Sequence, residues 1–168
     1  MSNRLIALLT AGIVLLALAI LWFVGRDERI IRKRLNELAE VVSMETYNPM
    51  KAVAATRKFS GFFTDPVLLE TDYEDIDGTR TNEAFQSLFL QGMASAHSIH
   101  LDFSAPEFLH CKAGKARIRT DASLAVDFKR AENVHEQRHL HFNWVKDSGK
   151  WRIQQIQLPS TSHIHKVQ

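Results

Sequence analysis

Three features of the sequence predict an α+β fold in which three helices pack on a mainly antiparallel sheet, behind one transmembrane helix. Leu5 to Val24 is an uncharged run of twenty residues. Between Asp27 and Met93 the apolar residues recur at helical spacing. From His97 onward the pattern alternates with a period of two, as in strands with one packed and one polar face.

The leading run, LIALLTAGIVLLALAILWFV, is long enough to cross the hydrocarbon core as a helix. Trp22 and Phe23 close it, at the depth where aromatics favour the headgroup level. A cleaved secretory signal is the competing reading, with Arg4 as a minimal basic region and Ala17-Leu18-Ala19 as a small-x-small site. Cleavage there would leave Ile20 to Val24 as an apolar new terminus, and the run has no polar segment ahead of the site. An uncleaved anchor over residues 1–26 is expected, followed by a domain over 27–158 and a tail over 159–168. Five basic residues between Arg26 and Arg34 favour a cytoplasmic domain if counted alone. They also belong to a folding helix, so the side of the membrane stays open.

In the domain, Ile31, Leu35, Leu38 and Val42 form one apolar stripe, broadened by Ile30 and Val41. Arg26, Arg29, Arg32, Lys33 and Arg34 are expected on the other side, as a solvated face or against anionic lipid headgroups. Asn48 caps a second helix with Pro49 at its first position and Gly61 at its end. Phe62 and Phe63 are core anchors, Asp65-Pro66 reads as a turn, and a short strand follows from Val67. An acidic loop turns at Asp77-Gly78, and Thr81 caps a third helix whose apolar face is Phe85, Leu88, Phe89 and Met93.

In the strands, Ile99, Leu101 and Phe103 face inward, as do Ile118, Thr120, Ala122, Leu124, Val126 and Phe128. Leu140, Phe142 and Trp144 share the packed face, so His135, His139, His141 and Asn143 look outward. Asp147-Ser148-Gly149 turns the chain into a last strand beginning at Lys150.

Composition removes several functions. Arg4 is the one charged residue in the first 25, so the remainder carries 20 basic against 19 acidic residues. So balanced a domain has no field to gather nucleic acid. Cys111 is the single cysteine, which rules out an internal disulfide and a cysteine-based zinc cluster. His139 and His141 could chelate a metal, but a closed site needs further ligands, and an outer sheet surface is the expected role. His97, at the junction of the third helix and the first long strand, is readable as a general base at a pocket rim or as a cation at a helix C-terminus. With Tyr73, Asp75 and Asp77 of the acidic loop it forms the candidate ligand-binding set.

The element order, with GFFTDPVLLE, IDGTRTNEAF and the closing DSGKWRIQQIQ, resembles the nuclear-transport-factor-2-like (SnoaL-like) superfamily. The resemblance covers about residues 27–158 and implies a cone, with helices against the concave side of a curved sheet. The leading span resembles that of bacterial single-span members of uncharacterised activity, which implies a bacterial cell membrane. The catalytic sets of the superfamily, an Asp with a Tyr, His and Asp with tyrosines, or Asp-Arg-Asp, do not map onto this chain. The resemblance therefore implies an anchored small-ligand-binding or assembly module, with no catalytic residue, no cofactor and no metal. It also implies a homodimer through the outer sheet face. The alternative is a cofactor-independent isomerase or dehydratase acting on a small apolar substrate.

Overall fold

The structure is a computed structural model that describes residues 25–72 and 77–159. The Leu5–Val24 run, Tyr73, Asp75 and the tail from residue 160 lie outside the described residues. Among the described residues, no helix is long and apolar enough to cross a membrane.

Helix α1 spans residues 25–42. Its stripe is buried as the spacing requires: Ile31 and Leu35 are fully covered, and Leu38 and Ala39 nearly so. The basic residues do not share one solvated face. The Arg34 guanidinium donates to the Gly61 carbonyl at 2.8 Å and stacks 4.7 Å over the Phe62 ring, while Arg32 lies 4.9 Å over Phe108. Positions 32 and 34 flank the buried Ile31 and Leu35, so their long stems lie along apolar surface.

Helix α2 is Pro49–Ser60, and α3 is Asn82–Ser95. The Asn48 side chain accepts from the Met50 and Lys51 N–H groups, and the Thr81 hydroxyl accepts from Ala84 N–H, so both expected caps form. Leu88 departs from expectation at 40% exposed. At about 100° per residue, Phe85, Phe89 and Met93 define a stripe from which Leu88 is turned roughly 100° away. The C-terminus of α3 is held by Lys129, whose ammonium donates to the Ala94 carbonyl at 2.7 Å and sits 3.7 Å from the Tyr47 ring.

The strands are β1 (Phe63–Glu70), β2 (Gly78–Arg80), β3 (Ala96–Phe103), β4 (Glu107–Lys112), β5 (Lys115–Phe128), β6 (Val134–Asp147) and β7 (Lys150–Gln157). They form one sheet in the order β2-β1-β7-β6-β5-β3, with β4 also on β5. Two features correct the sequence reading, and a third is the exception within a sheet that is mainly antiparallel as expected. Strand β1 runs through Asp65-Pro66, a cis bond, instead of turning there. The segment after Gly78 is a three-residue strand. The pairing of β1 with β7 is parallel in an otherwise antiparallel sheet.

The last strand holds a further device. Asn143 pairs with Gln155 but Trp144 pairs with Ile153, so one residue of β7 bulges out. The bulge lets Trp151, Ile153 and Ile156 all reach the packed side despite the odd spacing between Ile153 and Ile156. The Ala113-Gly114 and Ser148-Gly149 loops have positive φ at both residues, the geometry of type I′ hairpin turns. The edge strand β3 is partly covered by the linker after α1, where Met44 and Ile99 exchange main-chain hydrogen bonds of 2.7 and 2.8 Å.

Two buried clusters result. The larger joins Ile31, Leu35 and Leu38 of α1 to Phe63, Ile118, Phe142, Trp144, Trp151 and Ile153 of the sheet. The smaller joins Ala52 of α2 and Met93 of α3 to Ile99 and Val126. The helices thus close one face of the sheet.

Candidate functional site

Two regions could carry function: the space between the helices and the sheet, and the sheet's open outer face. Aromatic rings occupy part of the first, beside an open cleft of about 580 Å3 lined by Val41, Met44, Ala52, Ala55 and Met93. Phe59 of α2 stacks on Phe89 of α3 with centroids 4.0 Å apart and planes 4° from parallel. Phe63 lies 4.7 Å from Phe59, and Phe85 meets Phe63 edge-on at 4.8 Å. Such pairs add about 0.5–1.5 kcal/mol each beyond area burial. Phe63, Phe85 and Phe89 were legible as core residues. Phe59, the hub of the cluster, was not singled out, although Ala52, Thr56 and Phe59 recur at i, i+4, i+7 and are all buried.

Among the described residues, the buried polar side chains are Thr56 and Thr120. Each hydroxyl is spent on a main-chain carbonyl: Thr56 donates to Ala52 at 2.8 Å, and Thr120 to Ser104 at 2.9 Å. The indole N–H of Trp144, in the main cluster, is buried without a partner among the described residues. At the rim, Arg138 donates through Nε to the Glu136 carboxylate at 2.6 Å, an ion pair on the packed side of β6.

The outer face is a polar ladder. Cross-strand register sets Asp121 beside His139, Arg119 beside His141 and Arg117 beside Asn143. The His139 ring hydrogen-bonds Asp121, Arg119 pairs with Glu107 at 2.5 Å, and Arg117 donates to Gln157 at 3.2 Å. Asn143 donates to Gln155, which donates on to Glu70 at 2.6 Å. Burial, then the charges of Arg117, Arg119 and His139, holds the His141 imidazole below the usual histidine range. No group of three or more His, Cys, Asp or Glu side chains converges on a metal position among the described residues.

The candidate ligand set from the sequence is dispersed in its described members. The Asp77 carboxylate accepts the Thr71 N–H at 2.9 Å and so closes the loop between β1 and β2. It lines an open cleft of about 420 Å3 with Glu70, Asp72, His141 and Gln157. His97 is exposed near the start of β3, where its carbonyl accepts from Tyr47 N–H at 3.0 Å. Strands β2 and β3 lie at opposite ends of the strand order. Tyr73 and Asp75 lie outside the described residues.

No family model matches the chain, and no curated protein matches it. Solved structures do. A Novosphingobium aromaticivorans protein provisionally named a scytalone dehydratase is similar with a TM-score of 0.64 over 79% of this chain and 82% of its own, at 12% identity. A protein of the same species provisionally named an aromatic ring hydroxylase gives 0.65 over 79% and 87%, at 11% identity. A nuclear-transport-factor-2 variant gives 0.50 over 79% and 98%, at 16% identity. The chain has the nuclear-transport-factor-2-like cone fold. At these identities the likeness concerns the fold, and function has to be argued from this chain's own residues. Within the cone, the Phe59–Phe63–Phe85–Phe89 cluster fills space between helices and sheet. The cone's convex side carries the histidine and glutamine ladder.

Proposed function

We propose that the chain is a membrane-anchored, dimeric module for assembly or small-ligand binding that performs no chemistry of its own. The observation that carries this reading is the stacked Phe59–Phe89 pair with Phe63 and Phe85 against it. An enzyme of the isomerase or dehydratase kind needs a dry pocket holding a positioned acid or base. Here four rings, Phe59 and Phe63 buried and Phe85 and Phe89 half-buried, occupy the space between α2, α3 and β1. The one ion pair on the packed side of β6, Arg138 with Glu136, joins two groups to each other. The name of one fold neighbour, a scytalone dehydratase, favours the alternative, a cofactor-independent isomerase or dehydratase on a small apolar substrate. That reading would place the substrate at the rim, beside the Arg138–Glu136 pair.

The dimer is assigned to the outer face of β5, β6 and β7, where a broad polar ladder suits a wet, hydrogen-bonded interface. The test is hydrodynamic mass in detergent. The wild-type chain should run as two copies per particle, and Asn143→Arg, an extra cation in the centre of that face, should give single copies with an unchanged circular dichroism spectrum. A wild type that stays monomeric at micromolar concentration removes the dimer.

A further inference from the structure

We infer that the end of the cone from which α1 starts is a basic face that rests on an anionic lipid surface, through the lysines of two hairpin turns. This rests on the anchor reading, because the chain leaves the described structure at residue 25, immediately after the uncharged Leu5–Val24 run.

Three chain segments meet at that end. The Lys146 N–H donates to the Gly114 carbonyl at 2.8 Å, joining the β6–β7 turn to the β4–β5 turn. The Lys146 ammonium lies 3.1 Å from the Asp27 carboxylate, joining both turns to the first turn of α1. In the first hairpin Lys112 pairs opposite Lys115, and in the second Lys150 stands opposite Asp147. Lys112, Lys115 and Lys150 are all exposed, as are Arg26 and Arg29 on α1. The acidic groups at this end are engaged: Asp27 with Trp151 and Lys146, and Asp147 with Arg152 at 3.3 Å. Glu28, half-buried, is the remaining acid there.

The opposite end of β7 carries three carboxylates, with Arg117 reaching Gln157 beside them. Gln157 pairs with Glu70, and Asp72 and Asp77 line the cleft beside it. The domain is nearly neutral as a whole, yet its charge is separated along β7, with the basic pole where the anchor would enter. A leaflet of phosphatidylserine-like lipids attracts a juxtamembrane lysine strongly enough that each lysine lost weakens association on the order of fivefold.

The experiment uses the full chain reconstituted in phosphatidylcholine vesicles with and without phosphatidylserine, and reads lysine acetylation by mass spectrometry. Acetylation of Lys112, Lys115 and Lys150 should slow several-fold in the anionic vesicles, and Lys51 on α2 should not change. High salt should erase the difference. Equal rates in the two vesicles overturn the proposal. Carbonate-resistant flotation with the neutral vesicles reports the span separately. Should the span fail that test, wild-type flotation on anionic vesicles at low salt, lost in a Lys112→Gln, Lys115→Gln, Lys150→Gln variant, still supports the basic face. No flotation then overturns it.

Discussion

The indole N–H of Trp151 donates to the carboxylate of Asp27 at 3.0 Å, and the Lys146 ammonium reaches the same oxygen. Residues 124 positions apart thus tie the first turn of α1 to the last hairpin. Burial would raise the Asp27 carboxyl, but the hydrogen bonds from Trp151 and Lys146 and the charges of Lys146 and Arg26 outweigh it and hold the pKa low. A carboxylate lowered in the folded state contributes stability that is present above the unfolded value near pH 4 and fades as pH falls below it. Asp27→Asn should cost on the order of 1 kcal/mol at neutral pH, the site being partly exposed. Denaturant melts should show the gap between variant and wild type closing toward pH 3. A constant gap across that range removes the ion-pair explanation.

Phe59→Ala should destabilise the domain by about 3–5 kcal/mol, because it deletes the ring that Phe89, Phe63 and Phe85 all touch. Where the variant folds, its cavity should accept a benzene-sized ligand and show a thermal midpoint that rises with ligand, while the wild type shows no such rise. A wild type equally stabilised by small aromatics would reveal a pocket the rings do not fill.

His141 offers a second pH handle of defined sign. Its folded pKa lies below the ordinary value near 6.5, so the contribution is present above that pH and is lost on acidification through it. The His141→Gln variant should therefore lose less stability than wild type between about pH 7 and pH 5. Proton NMR titration of wild type should place the His141 midpoint below that of a histidine peptide. At neutral pH, changing His139 and His141 together to Gln should move stability by no more than about 0.5 kcal/mol, since both decorate the outer surface. Phe142→Ala, at 2% exposed, should cost several times more.

Expressed whole, the chain should sediment with membranes and resist carbonate and salt extraction, as the Leu5–Val24 run requires. Recovery in the soluble fraction would remove the span. An amino terminus mapped to Ile20 by mass spectrometry would instead establish a cleaved signal.

The sequence by itself determined whatever depends on near neighbours. Asn48 and Thr81 cap helices because a short polar side chain reaches N–H groups two or three residues on. Inward and outward positions on β5 and β6 follow from the pleat, so Phe142 and Trp144 are buried and the histidines are not. The tertiary structure decided what depends on register and on which strands become neighbours. Nothing local says that Asp121 stands beside His139, or that Glu70 of β1 meets Gln155 of β7 across a parallel pair. The bulge that turns Ile156 inward was written in the odd spacing after Ile153, but its effect exists only against the regular strand β6. Likewise Phe59 could have been placed on a buried helix face, while its stack on Phe89 required α2 and α3 to pack side by side. The basic end is the plainest case. Lys112, Lys115, Lys146 and Lys150 are scattered in a nearly neutral sequence and become one face only when two hairpins dock beside the start of α1. Periodicity is fixed within a few residues, whereas register, packing and charge separation are set by contacts between segments far apart in the chain.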